Sequence, residues 1–107
     1  MRNSKVISSA LNKINNDFIK ALTEPTRMTI LKIMVCNGSC DVKTLSDQLP
    51  QDRSVISRHL SFMEKAGILN SVKQGKHVIY SVNGENTLQQ AEQLVDSIRT
   101  CLKHGCC

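Results

Sequence analysis

Three thiols crowd the end of this chain, Cys101, Cys106 and Cys107 in the run "CLKHGCC", and two more, Cys36 and Cys40, flank "NGS". Five is an odd number for a disulfide framework and the spacing is unlike one, so soft-ion binding or thiol redox chemistry is the better reading. Positions five apart on one helix point about 140° away from each other, so an unbroken helix could not gather the tail sulfurs. Gly105 resolves this, because glycine readily takes the left-handed conformation that ends a helix and turns the chain back. Three converging thiolates suit a thiophilic ion and not magnesium or calcium. A trigonal As(III) or Sb(III) adduct needs only these three. Zinc, cadmium or lead would call for a fourth ligand, from His104 or a second subunit's thiol. Disulfide or persulfide formation among the same cysteines is the redox alternative. The plain structural alternatives are a small apolar Cys101 in a helix seam and a frayed tail.

A second set of residues suits an anionic partner. The net charge is +5, and from Arg53 to His77 the charged side chains are Arg53, Arg58, Lys65, Lys73 and Lys76 against Glu64 alone. In "RSVISRHLSFMEKAG" the apolar positions Ile56, Leu60 and Met63 share one helical face, and Ser54, Ser57, Arg58, Ser61 and Lys65 lie opposite. A helix that enters the major groove must be slim, must donate to base edges and phosphates, and must avoid carboxylates. The serines and arginines of this helix, with Arg53 at its start, meet those demands. His59 lies beside the Val55–Met63 row, where partial burial and a phosphate contact are equally open. Lys73, Lys76 and His77 surround a glycine turn, and a basic hairpin tip suits positioning on the DNA backbone or minor groove. Neutral serine fillers and solubilising edge lysines are the bland alternative. With only Phe18, Phe62 and Tyr80 as aromatics, the chain lacks a platform for stacking unpaired bases.

The elements that position these residues follow from periodicity. Ile7, Leu11, Ile14, Phe18 and Leu22 make one apolar stripe, which predicts a single helix over 5–22. Thr23-Glu24-Pro25 restarts the chain, and the next helix, apolar nearly all round from Met28 to Val35, should be central. A short helix at about 41–49 has Asp41 as its cap. The turn "LPQD" leads to the helix described above, with Asp52 as N-cap and Gly67 just past its end. "ILNSVK" and "HVIYSV" predict a β-hairpin around Gln74-Gly75. A last helix, about 86–104, aligns Leu88, Ala91, Val95, Ile98 and Leu102 on one seam. The fold class is mainly α with a β-hairpin, in the order ααααββα. The 107 residues make a single domain (1–107), whose modest core would gain from oligomerisation.

The segments "ALTEPTRMTILKIM", "SVISRHLSFMEKAGIL" and "KQGKHVIYSV" together resemble successive signatures of the ArsR/SmtB family of bacterial winged-helix repressors. The match runs in order from about Ala21 to Val82. The resemblance implies a winged helix-turn-helix, with the helix-turn-helix at about 41–66, the wing at about 68–82 and a C-terminal dimerisation helix carrying the cysteine tail. It further implies a homodimer joined through the first and last helices, bound to two-fold symmetric double-stranded operator DNA and released by an inducer. The two apolar stripes agree with such pairing. Many members hold arsenic in a Cys-Val-Cys run, and here Asp41 and Lys43 stand where those cysteines would be. The family's zinc site on the last helix needs histidines that Glu92 and Asp96 lack nearby. The tail cysteines Cys101, Cys106 and Cys107 are left as the candidate inducer site, and the resemblance permits terminal cysteines in that role. Cys36 and Cys40 read as packing residues rather than ligands, though either could supply a partner thiol if the folded chain brings the tail near it.

Other classes fit poorly. No cysteine has an arginine six residues on and there is no Cys-x-x-Cys pair, so neither a phosphatase-like anion loop nor a dithiol redox centre can be built, and the chain does not read as an enzyme. The longest strongly apolar run, "IMVC", cannot span a bilayer. Asn12, Lys13, Asn15, Asn16 and Asp17 interrupt any signal-peptide core. The expectation is a cytoplasmic protein with no membrane partner.

Overall fold

The computed structural model describes residues 4–12 and 14–104. The chain runs α1 (Ser4–Asn12), α2 (Asn16–Thr23), α3 (Pro25–Asn37), α4 (Val42–Ser46), α5 (Arg53–Lys65), β1 (Leu69–Gln74), β2 (His77–Val82) and α6 (Gly84–Lys103).

The single helix expected over 5–22 is two helices, so one more helix precedes the hairpin than ααααββα provides for. Asn15 is the reason. Its Oδ1 accepts from the amides of Asp17 (3.0 Å) and Phe18 (3.3 Å), which starts α2 afresh. Asparagine favours this N-cap role because its side chain satisfies amides that have no partner within the helix. The break lets the two halves pack differently: α1 lies on α6, whereas α2 packs on α3 and α5.

The core joins Phe18 and Ala21 of α2, Ile30 and Met34 of α3, Leu45 of α4, Ile56, Leu60 and Met63 of α5, and Ile68, Leu69 and Tyr80 from the hairpin region. Ile30, Leu45, Ile56, Leu60 and Ile68 are fully excluded from solvent. Each such side chain contributes about 1.5–3 kcal/mol through burial. Helix α3 crosses the middle of this core as expected, but its C-terminal end emerges: Val35 is 68% exposed. Pro25 opens α3, and Glu24 caps it by accepting from the Arg27 amide at 2.9 Å.

Helix α5 closes in a Schellman arrangement. Gly67, at φ +84°, donates to the Glu64 carbonyl, and Ile68 donates to that of Met63, both at 3.0 Å. The hairpin pairs antiparallel from Leu69↔Val82 to Gln74↔His77. Its two-residue turn has positive φ only at the first central residue, Gly75, the pattern of a type II′ turn. Cys40 adds an isolated antiparallel bridge to this sheet: its amide donates to the Tyr80 carbonyl (3.0 Å) and its carbonyl accepts from the Tyr80 amide (2.9 Å). The hairpin is thereby stitched to the entrance of α4.

Candidate nucleic-acid interface

Helices α4 and α5 face each other across the turn at 47–52, held by Leu45 below and by Ile56 and Leu60 above. Asp41 caps α4, accepting from the Thr44 amide at 2.8 Å. Asp52 occupies the N-cap position of α5 in extended conformation, but its side chain makes no cap hydrogen bond. The first amides of α5 are therefore not taken by that carboxylate.

With Ile56, Leu60 and Met63 inward, the outer row of α5 turns to solvent. Arg53, Ser54, Arg58 and Ser61 are exposed, and Ser57 and His59 are half-buried. From Arg53 to Ser61 the helix carries no carboxylate. Glu64 follows, and its carboxylate accepts a hydrogen bond from the Ser71 hydroxyl of β1. Glu24, at the start of α3, has its carboxyl held below its usual range chiefly by the Arg27 amide hydrogen bond, with smaller electrostatic contributions from the neighbouring His59 and Arg27. Half-burial beside Glu24 is thus the setting of His59.

On the wing, Lys73, Lys76 and His77 are all exposed, on either side of the Gly75 turn. His77 Nδ1 lies 3.7 Å from the Asp41 carboxylate. One side chain therefore serves both the cap of α4 and the base of β2. The Asp41 carboxyl is held below its ordinary value by hydrogen bonds from Thr44, with a smaller contribution from His77. This tie was invisible in the sequence, since the partners are 36 positions apart and neither is unusual for a surface. A second unanticipated contact stacks the Arg27 guanidinium over the Phe62 ring, 4.5 Å from its centre, fixing α3 against α5.

The thiols divide by environment. Cys40 is buried, and burial, with the Asp41 charge beside it, pushes its thiol pKa up. That agrees with a packing role. Cys36, by contrast, is exposed near the end of α3 and is not the packing residue expected, and Cys101 is half-buried. Cys106, Cys107 and Gly105 lie outside the described residues. Among the described residues no three His, Cys, Asp or Glu side chains cluster closely enough to hold a metal ion. In particular, Asp96 lies 3.8 Å from Arg99 on the exposed side of α6. No helix among the described residues is long and apolar enough to cross a membrane.

Residues 24–71 match the family described as bacterial regulatory protein, arsR family. An uncharacterized helix-turn-helix transcriptional regulator of Methanocaldococcus jannaschii is 34% identical over 82 residues, which are 77% of this chain and 91% of that protein. The arsenical resistance operon repressor of Escherichia coli is 36% identical over 64 residues, 60% of this chain and 55% of that one. Among solved structures, a possible transcriptional regulator for arsenical resistance superposes with a TM-score of 0.68 at 30% identity, over 78% of this chain and 85% of the other. The winged helix-turn-helix, the cationic outer row of α5 and the match to this family agree: the chain belongs to the arsR family of DNA-binding transcriptional regulators and is not an enzyme.

Proposed function

We propose that this regulator represses transcription as a cytoplasmic homodimer on operator DNA, and leaves it when As(III) or Sb(III) is bound by the thiolates of Cys101, Cys106 and Cys107. The observation that carries the DNA half is the exposed row Arg53, Ser54, Arg58 and Ser61 on a helix whose other face is fully buried, flanked by the exposed Lys73, Lys76 and His77 of the wing. Serine and arginine there can donate to base edges, while the wing lysines neutralise phosphates. Support for dimerisation comes from Leu88, Val95, Ile98 and Leu102 of α6, which are 45–60% exposed on one side of the helix. An apolar row of that length is costly to leave in water.

The inducer half rests on chemistry and on similarity. Asp41 stands where a metalloid-binding cysteine would stand in many relatives, and it is engaged in capping α4. Cys40 is buried in a backbone bridge. The soft ligands left are in the tail, and a relative that represses an arsenical resistance operon is 36% identical. Coupling of about 1–3 kcal/mol between tail and DNA face would change operator affinity several- to a hundred-fold.

The test is a titration of reduced protein on labelled operator duplex, followed by fluorescence anisotropy, against arsenite, antimonite, zinc, cadmium, lead and a persulfide donor. Cys101→Ser should bind DNA like the parent and lose release by arsenite. Normal release from that variant would remove Cys101 from the site. Release by the persulfide donor alone would replace the metalloid reading with sulfur sensing.

A further inference from the structure

The two sides of α6 do different work. Leu88, Val95, Ile98 and Leu102 are exposed, whereas Gln90, Leu94, Ser97, Cys101 and His104 form a stripe down the helix that is buried at Ser97 and half-buried elsewhere, and α1 is the helix packed along α6. Ser97, in the middle of that stripe, is 3% exposed. At the near end of the stripe the Gln90 side chain makes two bonds at once. Its Nε2 donates to the Ala66 carbonyl at 2.9 Å, and its Oε1 accepts from Asn15 Nδ2 at 2.9 Å. Asn86, one turn earlier, donates to the Gly67 carbonyl at 2.8 Å.

Ala66 and Gly67 are where α5 ends. The last carbonyls of a helix lack partners within it, and here two side chains of α6 reach the carbonyls just past that end. The approach is close enough that a Cβ on Gly67 would stand 2.1 Å from Asn86 Nδ2 and 2.9 Å from Gln90 Nε2. Asn15 joins the network from the other side. With Oδ1 it caps α2, and with Nδ2 it holds Gln90. It therefore sits at the joint between α1, which lies on α6, and α2, which packs on α5.

We propose that Gln90 and Asn15 are positioning residues for DNA binding: through their shared hydrogen bond, the packing of α1 on α6 sets the pose of α5 in the groove. This rests on the reading of α5 as the helix that enters DNA. Neither residue belongs to the outer row of α5 or to the wing. Cys101 lies on the same stripe as Gln90, eleven residues on, which is about 16 Å along the helix and about 20° around it. A group bound at Cys101 would press on the α1–α6 contact, and Asn15 carries that displacement to the end of α5.

Two neutral substitutions separate this role from simple scaffolding. Asn15→Ser keeps an oxygen for the α2 cap and removes the amide that holds Gln90. Gln90→Met keeps length and removes both bonds. The probe is a duplex selected from a random pool with the reduced parent protein, compared with a scrambled duplex of equal length. Losing one or two such hydrogen bonds should lower operator affinity about two- to tenfold in each variant. Affinity for the scrambled duplex should be unchanged, because no charge is altered. Operator affinity equal to the parent's in both variants would overturn the proposal. So would a parallel loss of operator binding, scrambled-duplex binding and melting temperature. If Gln90→Met fails to fold, Asn15→Ser decides the matter alone. A parent protein that selects no duplex would instead overturn the DNA reading of α5. Arsenite release from Asn15→Ser as strong as from a responsive parent would overturn the α1 route from the tail.

Discussion

Asp41 shows how much one side chain can be asked to do. It begins α4, accepts from Thr44 and lies within reach of His77 on the wing. Its carboxyl, like that of Glu24 at the head of α3, is held below the ordinary range, chiefly by hydrogen bonds to the charged form. A carboxylate whose folded pKa is depressed contributes stability that is present above its unfolded value of about 3.9 and is lost as pH falls through the lower folded value. These two carboxylates therefore make thermal stability fall, modestly because both are solvated, as pH drops below about 4. Asp41→Asn, which preserves an N-cap oxygen, should melt near the parent at neutral pH and show a shallower acid loss, as a series of melting curves from pH 7 to pH 2 would reveal. At the same scale, Cys36 and Cys40 are four residues apart yet differ in kind. Cys40 is buried with its backbone tied to Tyr80, and Cys36 is exposed at the end of α3.

At the scale of elements, the joint between α5 and β1 decides whether the recognition helix and the wing keep their relation. Gly67 meets two requirements there, a left-handed φ and room for the α6 amides. Gly38, with φ +85°, meets only the first, since a Cβ on it would find open space. Gly38, at φ +85° and ψ −156°, holds a conformation that essentially only glycine adopts, so Gly38→Ala should lose about 1–3 kcal/mol in urea denaturation yet bind operator like the parent once folded. Gly67→Ala should lose stability and also bind operator less tightly, because its Cβ would displace Asn86 and Gln90. Unchanged operator affinity in Gly67→Ala would mean that this close approach is relieved at no cost. Much at this scale was readable from residue order. The Pro25 start of α3, the Asp41 cap, the glycine past α5 and the hairpin at Gly75 all obey local rules. The split of the first helix was not read, because the apolar stripe continues through Asn15 while the chain beneath it changes direction.

The whole molecule is elongated. Its radius of gyration is 16.8 Å, against about 13 Å for a compact chain of this length. Its extents of 57 × 25 × 21 Å give it one long axis. The exposed Leu88, Val95, Ile98 and Leu102 of α6 make an extended shape with a bare apolar side suited to a second copy, which would also set two α5 helices at a defined spacing on DNA. Ile98→Glu, placing a charge in the middle of that side, should yield a monomer by sedimentation that retains its helical content and loses operator binding by at least tenfold, the size of effect expected when one of two half-sites must bind alone. A dimeric Ile98→Glu protein would move the interface elsewhere.

What the sequence determined by itself is whatever depends on neighbours along the chain. The apolar period of α5 settles which of its residues turn outward, so Arg53, Ser54, Arg58 and Ser61 were legible as a solvent-facing row before any coordinates. Turn glycines, caps and the charge of the wing are local in the same sense. The tertiary structure alone decided the contacts between distant segments: Asp41 with His77, Cys40 with Tyr80, and Asn15 with Gln90. It also decided which side of α6 is covered, since both the Leu88–Leu102 seam and the Gln90–His104 stripe have helical spacing. Periodicity reports that a side chain has a face. Which neighbour covers that face is set by how the chain closes on itself, and side-chain amides that seek distant carbonyls leave no periodic trace.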